Sequence, residues 1–416
     1  MTATTPPPRI MQPAEHACGS LHLGILIPEF PSQTHTFFWR EICALRAQGC
    51  TVSLLSTRRP PPNACPHEFA EPARQQTSYL WPPPWLRATL QLARHPLRTA
   101  RAMGYLMGLE ETPWRRRLLL LSLLWAAAGL VLLARRRGIQ HVHVHSCADA
   151  AHLVALAHWL GGPRYSLFLH GDLPVYGTDH RHKMRRAAFV MTAGSHLVAQ
   201  VATVAQVPAA RIVPTCMGVD TKAFAAVAGT RDQGPLQVLT VARLNRTKGH
   251  LHALAAVQAC RRAGIAIAYH VVGAGDFEPE IRAAIAALGL ADCVVLHGGL
   301  GEDRVRARLA AADVFLLAST GLGEAAPVAV MEAMACGLPV VCSIIGSTPD
   351  MLRDGEEGYL VPQADEAALA RALTALARDP ARRAAMGRQA RLRAETQFDA
   401  GLLARQLAAI CHAPPG

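Results

Sequence analysis

Short apolar runs alternate with helical patterns from Leu21 almost to the end of the chain, in two successive rounds. Strands covered by crossover helices on both faces read as unbroken apolar segments, so this pattern predicts parallel sheets. The first round places strands over 21–27, 50–56, 140–145, 165–170, 189–192 and 211–214, with helices such as 37–48 and 148–160 between them. The second restarts at 236–242 and runs through 266–272, 293–297, 314–317 and 339–342, with helices over 366–378, 381–395 and 402–411. At 416 residues the chain is longer than one ordinary core. The expected organisation is α/β. It comprises a flexible lead-in over 1–19, a domain over 20–220, a polar small-residue linker over 221–235, a second domain over 236–398 and a last helix over 399–416. Ligands of doubly wound sheets bind beyond the carboxyl ends of the strands, so the residues that follow each strand are the ones to weigh.

The balance of 42 basic to 30 acidic residues gives a formal charge of +12, which favours anionic partners such as nucleotide diphosphates or acidic lipid headgroups. Nucleic acid is disfavoured: aromatic residues are only 5% and no nucleic-acid-binding signature is present. Eleven scattered cysteines without a C-x-x-C pair suggest reduced thiols and a cytoplasmic setting. The proline-rich start lacks the charged and apolar regions of a signal peptide. An apolar segment over 118–134 lies between two arginine triplets. Its seventeen residues would span only about 25 Å as a helix, against roughly 30 Å of hydrocarbon, so a buried or membrane-apposed helix is expected. The basic, amphipathic stretch 81–109 before it reads as a docking patch for an anionic membrane surface.

Three strand ends carry candidate chemistry. Arg243 and Lys248 follow the first strand of the second round, where two cations and free helix amides can offset a diphosphate without a metal. Glu324 lies on a loop and Glu332 on the helix that Pro327 introduces, so the pair could address hydroxyls while the amides of Ala325, Ala326 and Val328 face a phosphate. Gly273 and Gly298 permit close backbone approach at two further strand ends. In the first round, His170 ends a strand and Asp172 follows it, while Ser32, Gln33, Thr34 and His35 follow the first strand. His141, His143 and His145 share one strand face, but a repeat of two residues separates them by about 7 Å, and no metal site is expected there.

The stretch Glu324, Pro327, Glu332-Ala333-Met334-Ala335, Gly337 and Pro339-Val340-Val341 resembles the E-G-x-P-x-x-x-x-E-A-M-A-x-G-x-P-V-V pattern of glycosyltransferase family 4. Arg243-Leu244 to Lys248-Gly249 is similar to that family's R-L-x-x-x-K-G element, and Pro28 to Phe37 to the P-x-x-S-E-T-F loop of its polysaccharide-building members. Ala325 and Ala242 stand where glycine is usual, and His35 where glutamate is. The resemblance implies a GT-B architecture, two doubly wound Rossmann-like domains facing a cleft. It further implies a retaining transferase moving sugar from a UDP- or GDP-sugar to a lipid-linked or polysaccharide acceptor, without a metal or other cofactor. Carried onto this chain, Arg243 and Lys248 hold the diphosphate, Glu332 the ribose, Glu324 and His170 the sugar, and Ser32 to His35 with Asp172 the acceptor side. An enzyme of this kind would act in the cytoplasm, at the inner face of the membrane. An epimerase or phosphorylase on the same architecture, or a non-catalytic glycan- or nucleotide-binding relative, is the alternative.

Overall fold

The computed structural model describes residues 21–32, 35–65, 67–225, 234–321 and 326–414. Gln33, Thr34, Glu324 and Ala325, the lead-in 1–19 and most of the expected linker lie outside the described residues. The chain divides into two compact units, one of residues 1–216 with 403–416, the other of residues 217–402.

The first unit is built on seven parallel strands: β1 (His22–Leu26), β2 (Thr51–Ser56), β3 (Thr77–Tyr79), β4 (His141–Val144), β5 (Arg164–Leu169), β6 (Val190–Ala193) and β7 (Ile212–Thr215). Their spatial order is β3-β2-β1-β4-β5-β6-β7. The second unit carries β8 (Leu236–Val241), β9 (Ile267–Val272), β10 (Val294–Leu296), β11 (Val314–Leu317), β12 (Val340–Ser343) and β13 (Gly358–Val361), in the order β10-β9-β8-β11-β12-β13. Both sheets reverse direction of growth next to their first strand, between β1 and β4 and between β8 and β11. In a doubly wound sheet that reversal opens a crevice at the carboxyl ends, where ligands bind.

The unit boundary falls a few residues from the expected ends of the domains, for a local reason. Val219 N–H donates to Phe398 O (2.8 Å) and Ala400 N–H to Val219 O (2.9 Å), which ties 217–222 and 399–402 into the second unit. The last helix, Ala400–His412, continues into the first unit, where Arg164 Nη2 donates to Cys411 O (3.3 Å) and Cys411 is buried.

The apolar segment is longer than the sequence suggested. A continuous helical run spans Trp114–Arg137, long and apolar enough to cross a membrane by length and composition, and half of it is buried inside the first unit. Leu124, Ala126, Ala127, Leu130 and Val131 enter the core, while Trp114, Leu118 and Leu119 stay exposed. Two short strands, β3 and β13, were not expected, and Cys50 is disulfide-bonded, which corrects the expectation of reduced thiols throughout.

Candidate functional site

In the second unit, four loops meet at the carboxyl end of the sheet. β8 ends at Val241, and Ala242 to Asn245 lead into a 3-10 turn, Arg246–Lys248, closed by Gly249 at φ +65°. Only a residue without a Cβ fits there: one added to Gly249 would lie 1.7 Å from Ala318 O, at the end of β11. Thr320 N–H donates to Thr247 O (2.8 Å), so the loops after the two switch-point strands are joined directly. On the other side, Gly273 N–H donates to Gly298 O (2.9 Å), and a Cβ on Gly273 would meet Ala242 O at 1.8 Å. Leu244 N–H donates to Ala274 O (3.0 Å), which fixes the loop that carries Arg243.

The guanidinium of Arg243 is exposed, whereas Lys248 is half-buried in the turn. His250, at the start of the next helix, bonds Arg243 O through Nε2 (3.0 Å) and so anchors the backbone of that arginine. Arg246 is turned elsewhere, over the Phe277 ring at 4.8 Å. The structure therefore gathers Arg243, Lys248, Gly273 and Gly298 around one strand-end region.

After β11 the chain passes Ser319 to Gly321 and re-enters the described residues at Ala326. Pro327 caps a helix over Val328–Ala335, and Glu332 sits in its second turn, buried to 8% exposure on an otherwise apolar element. A buried carboxylate on a helix that follows the switch-point strand is costly unless it holds a partner. A cavity lined by Gly234, Leu236, Ile265, Asp313 and Arg383 lies at the opposite end of the sheet, where β8 and β9 begin, and has no part in this arrangement. In the segment Gly346 to Gly358, Glu357 is fully buried and held by Arg353 (Nη2–Oε1 2.6 Å).

In the first unit a second group forms at the ends of β1, β4 and β5. The loop after β1 turns at Glu29 (φ +51°) and reaches Ser32, whose carbonyl accepts from His35 N–H (3.1 Å). His35 stacks on Phe30 (centroids 5.9 Å) and meets Phe38 edge-on (5.0 Å), and Phe38 in turn packs against His145 (4.5 Å) and His170 (5.5 Å). His35 and His170 thus belong to one aromatic cluster, and Ser32 is tied to it through its carbonyl. Asp172 is engaged by another element: its Oδ1 accepts from Gln200 Nε2 (2.7 Å). His170 is held by His145, whose Nδ1 lies 3.1 Å from its Nε2.

His141, His143 and His145 do share one face of β4, as the repeat of two predicts. Their rings are closer than the strand repeat suggested, with 4.9 Å between the centroids of His143 and His145. His141 Nε2 and His143 Nδ1 both reach Ser166 Oγ on β5, each at 2.7 Å. Burial keeps these imidazoles neutral: His141 and His145 are pushed down to about 3, and His143 and His170 fall well below the ordinary histidine value.

Glu41, on the Thr36–Ala47 helix, completes the group and was not foreseen. Its Oε1 lies 3.0 Å from His145 Nε2, and burial pushes its carboxyl up to about 7. Ligand atoms of Glu41, His143 and His145 lie within 4.8 Å of one another. Both nitrogens of His145 are already engaged, however, which is the geometry of a hydrogen-bonded chain. The sequence did hold a signal for Glu41. Phe38, Ile42 and Leu45 form the buried stripe of that helix, and an acid one turn from Phe38, beside Ile42, is out of place on such a face.

Comparison with known proteins fits this arrangement. The family model described as glycosyl transferases group 1 matches residues 223–393. A GDP-mannose-dependent alpha-(1-6)-phosphatidylinositol monomannoside mannosyltransferase of Mycolicibacterium smegmatis is 31% identical over 280 residues, covering 63% of this chain and 73% of that protein. The chain belongs to the group 1 glycosyl transferases. Within this glycosyltransferase family, the amylovoran biosynthesis glycosyltransferase AmsK of Erwinia amylovora is 37% identical over 207 residues, 49% of this chain and 51% of AmsK. The chain thus spans about half the length of that relative. The fold is GT-B: the crystal structure of Anabaena HepE in complex with UDP superposes with a TM-score of 0.69 at 17% identity, covering 92% of this chain and 98% of HepE.

Proposed function

We propose that this glycosyltransferase moves a hexose from a UDP- or GDP-sugar to an acceptor hydroxyl, with retention at the anomeric carbon, in the synthesis of a cell-surface polysaccharide. The observation that carries the reading is Arg243 in the loop after β8 together with Lys248 in the turn that Gly249 locks against the end of β11, at the topological switch point. Two cations there offset the charge that develops on a departing nucleoside diphosphate, and such stabilisation acts on the transition state more than on bound substrate. No metal is needed for that task, and none is proposed.

The remaining roles follow the chemistry of each group. Glu332 takes the ribose hydroxyls and Glu324 the hydroxyls of the sugar, while the backbone amides of Ala325, Ala326 and Val328 receive phosphate oxygens. From the first unit, neutral His170 is assigned a hydrogen bond to a sugar hydroxyl, and the segment Ser32 to His35, with Asp172, the acceptor side. The donor class is supported by the GDP-mannose dependence in the name of the Mycolicibacterium relative and by the UDP in the HepE crystals. The polysaccharide assignment, and with it a lipid-linked or growing-glycan acceptor, is supported by the name of AmsK.

Action in the cytoplasm at the inner face of the membrane is part of the same proposal. Its support is the exposed set Trp81, Trp85, Leu86, Leu90, Leu97 and Trp114, interspersed with exposed Arg87, Arg94, Arg98, Arg101, Arg115 and Arg116.

The deciding experiment pairs a thermal-shift screen of nucleotide-sugars with an assay of diphosphate release in the presence of glycan acceptors. Arg243→Ala and Lys248→Ala are each expected to lower kcat by about 10²–10³-fold with the melting temperature little changed. Turnover that survives both substitutions would reject the assigned roles.

A further inference from the structure

Glu41, His145 and His170 form a continuous line of hydrogen-bonding atoms through the first unit: carboxylate Oε1 to His145 Nε2 at 3.0 Å, then His145 Nδ1 to His170 Nε2 at 3.1 Å. The line ends at His170 Nδ1, which is buried and has no partner. We propose that Glu41 and His145 are positioning residues that fix which nitrogen of His170 carries its proton, and so whether the free nitrogen of that ring offers a hydrogen bond or accepts one. The chain exists in the structure whatever the reaction. Its effect on catalysis rests on the sugar-hydroxyl role given to His170 above.

Proton counting along the line leaves two arrangements. An ionised carboxylate can only accept, so His145 places its proton on Nε2 and leaves Nδ1 bare. His170 then donates from Nε2, and its Nδ1 presents a lone pair. With a protonated carboxyl the direction reverses: Glu41 donates to His145 Nε2, His145 donates from Nδ1 to His170 Nε2, and His170 Nδ1 carries a proton. One proton gained at Glu41 changes the tautomer of both rings, with neither ring charged. Burial on this scale makes an unmatched donor or acceptor expensive, so the two arrangements do not mix freely.

The groups that face this line leave Glu41 as its variable member. His143 from β4 lies beside the carboxyl, and burial holds it neutral. His35, from the loop after β1, is pushed down to about 4, and the Cys411 thiol of the last helix is raised by burial, with the carboxyl of Glu41 and the guanidinium of Arg164 near it. Glu41 itself is shifted up to about 7, so the free nitrogen of His170 accepts above that value and donates below it.

The test reads tautomers directly. Full-length protein labelled with ¹⁵N-histidine is followed by two-bond ¹H–¹⁵N correlation from pH 5.5 to 8.5, with His170 assigned by its loss in His170→Asn. The expected result is an Nε2–H ring at high pH that gives way to Nδ1–H below about 7, and loss of that crossing in Glu41→Gln. Glu41→Asp, which keeps the carboxyl but shortens it, serves if the glutamine variant does not fold, and should move the crossing without abolishing it. In turnover, Glu41→Gln is expected to lower kcat about five- to tenfold, the worth of one neutral hydrogen bond, with the donor KM nearly unchanged. A His170 tautomer that is identical in wild type and variant at every pH overturns the proposal. So does one equivalent of zinc in the isolated protein that is lost in His143→Gln, since Glu41 and His145 would then be metal ligands. A tautomer crossing in a protein that turns over no nucleotide-sugar would uphold the chain and refute the transferase reading.

Discussion

Gly249→Ala tests how tightly the turn that presents Lys248 is set against the end of β11. The added Cβ would lie 1.7 Å from Ala318 O and 2.6 Å from Ala318 C, both backbone atoms that cannot swing aside. Real Cβ contacts essentially stop at 3.0 Å, so the turn or the end of β11 must retreat by 3.0 − 1.7 = 1.3 Å. The left-handed backbone at φ +65° adds roughly 1–2 kcal/mol for any L-side chain, and a forced shift in packed surroundings about 1–3 kcal/mol more. For a unit of this size each kcal/mol lowers the melting temperature by roughly 2–4 °C, so a loss of about 4–20 °C is expected. A displacement of about 1 Å at a charge-bearing loop costs on the order of 10²-fold in turnover. Gly298→Ala is the matched control: its φ is +67°, but nothing lies within 4 Å of the added atom, so only the backbone term applies. Calorimetry and diphosphate release would be measured for both. Equal melting temperatures for the two variants would refute the argument from close approach.

Acid should destabilise the first unit steeply. His35 and His152 at about 4, and His141 and His145 at about 3, are all depressed below the unfolded value near 6.5. On acidification the unfolded chain binds protons first, so their contribution is full above pH 6.5 and is lost as pH falls toward the folded values. Glu41, raised to about 7, works in the opposite direction between roughly 4.5 and 7, but the depressed histidines, which also include His143, His170 and His180, outnumber it, so stability falls as pH drops below about 6.5. Melting temperatures at pH 7.5, 6.5 and 5.5 that do not fall would disprove this. Glu357→Gln removes the charge buried against Arg353 and Arg393, and should cost about 2 kcal/mol by denaturant titration, a figure discounted because Arg353 is half-exposed. Trp85→Ser combined with Leu86→Ser should weaken co-sedimentation with anionic liposomes at low salt. Wild-type protein that stays in the supernatant would end the membrane proposal.

Most of both sheets was legible because strands with two buried faces leave an uninterrupted apolar signature. The helix Glu366–Arg378 was read to the residue, since Asp365 caps it by accepting from Ala368 N–H (2.8 Å) and Asp379 follows its end. The two missed strands fail for different reasons. Thr77–Tyr79 is three residues long, too short to show any period, and Gly358–Val361 directly follows a polar turn. Arg243 and Lys248 could be picked out because their spacing follows a strand end. Glu41 showed only as an acid on a buried helix stripe, because its significance lies in His145 and His170 at the ends of β4 and β5, about a hundred residues further on. The same reason hid the partner of His170: Asp172 is near in sequence, but the side chain at hydrogen-bond distance is His145.

The closing helix has a consequence for biosynthesis. Residues 403–416 belong to the unit that begins the chain, and the Cys411 carbonyl is where Arg164 finds its acceptor. The first unit of a nascent polypeptide therefore stays unfinished until residues beyond 402 have been translated. The intervening unit, contiguous from 217 to 402, has all its residues sooner. Removing residues 403–412 would injure the portion made first, and a fragment ending at 216 would lack a piece of its own interior.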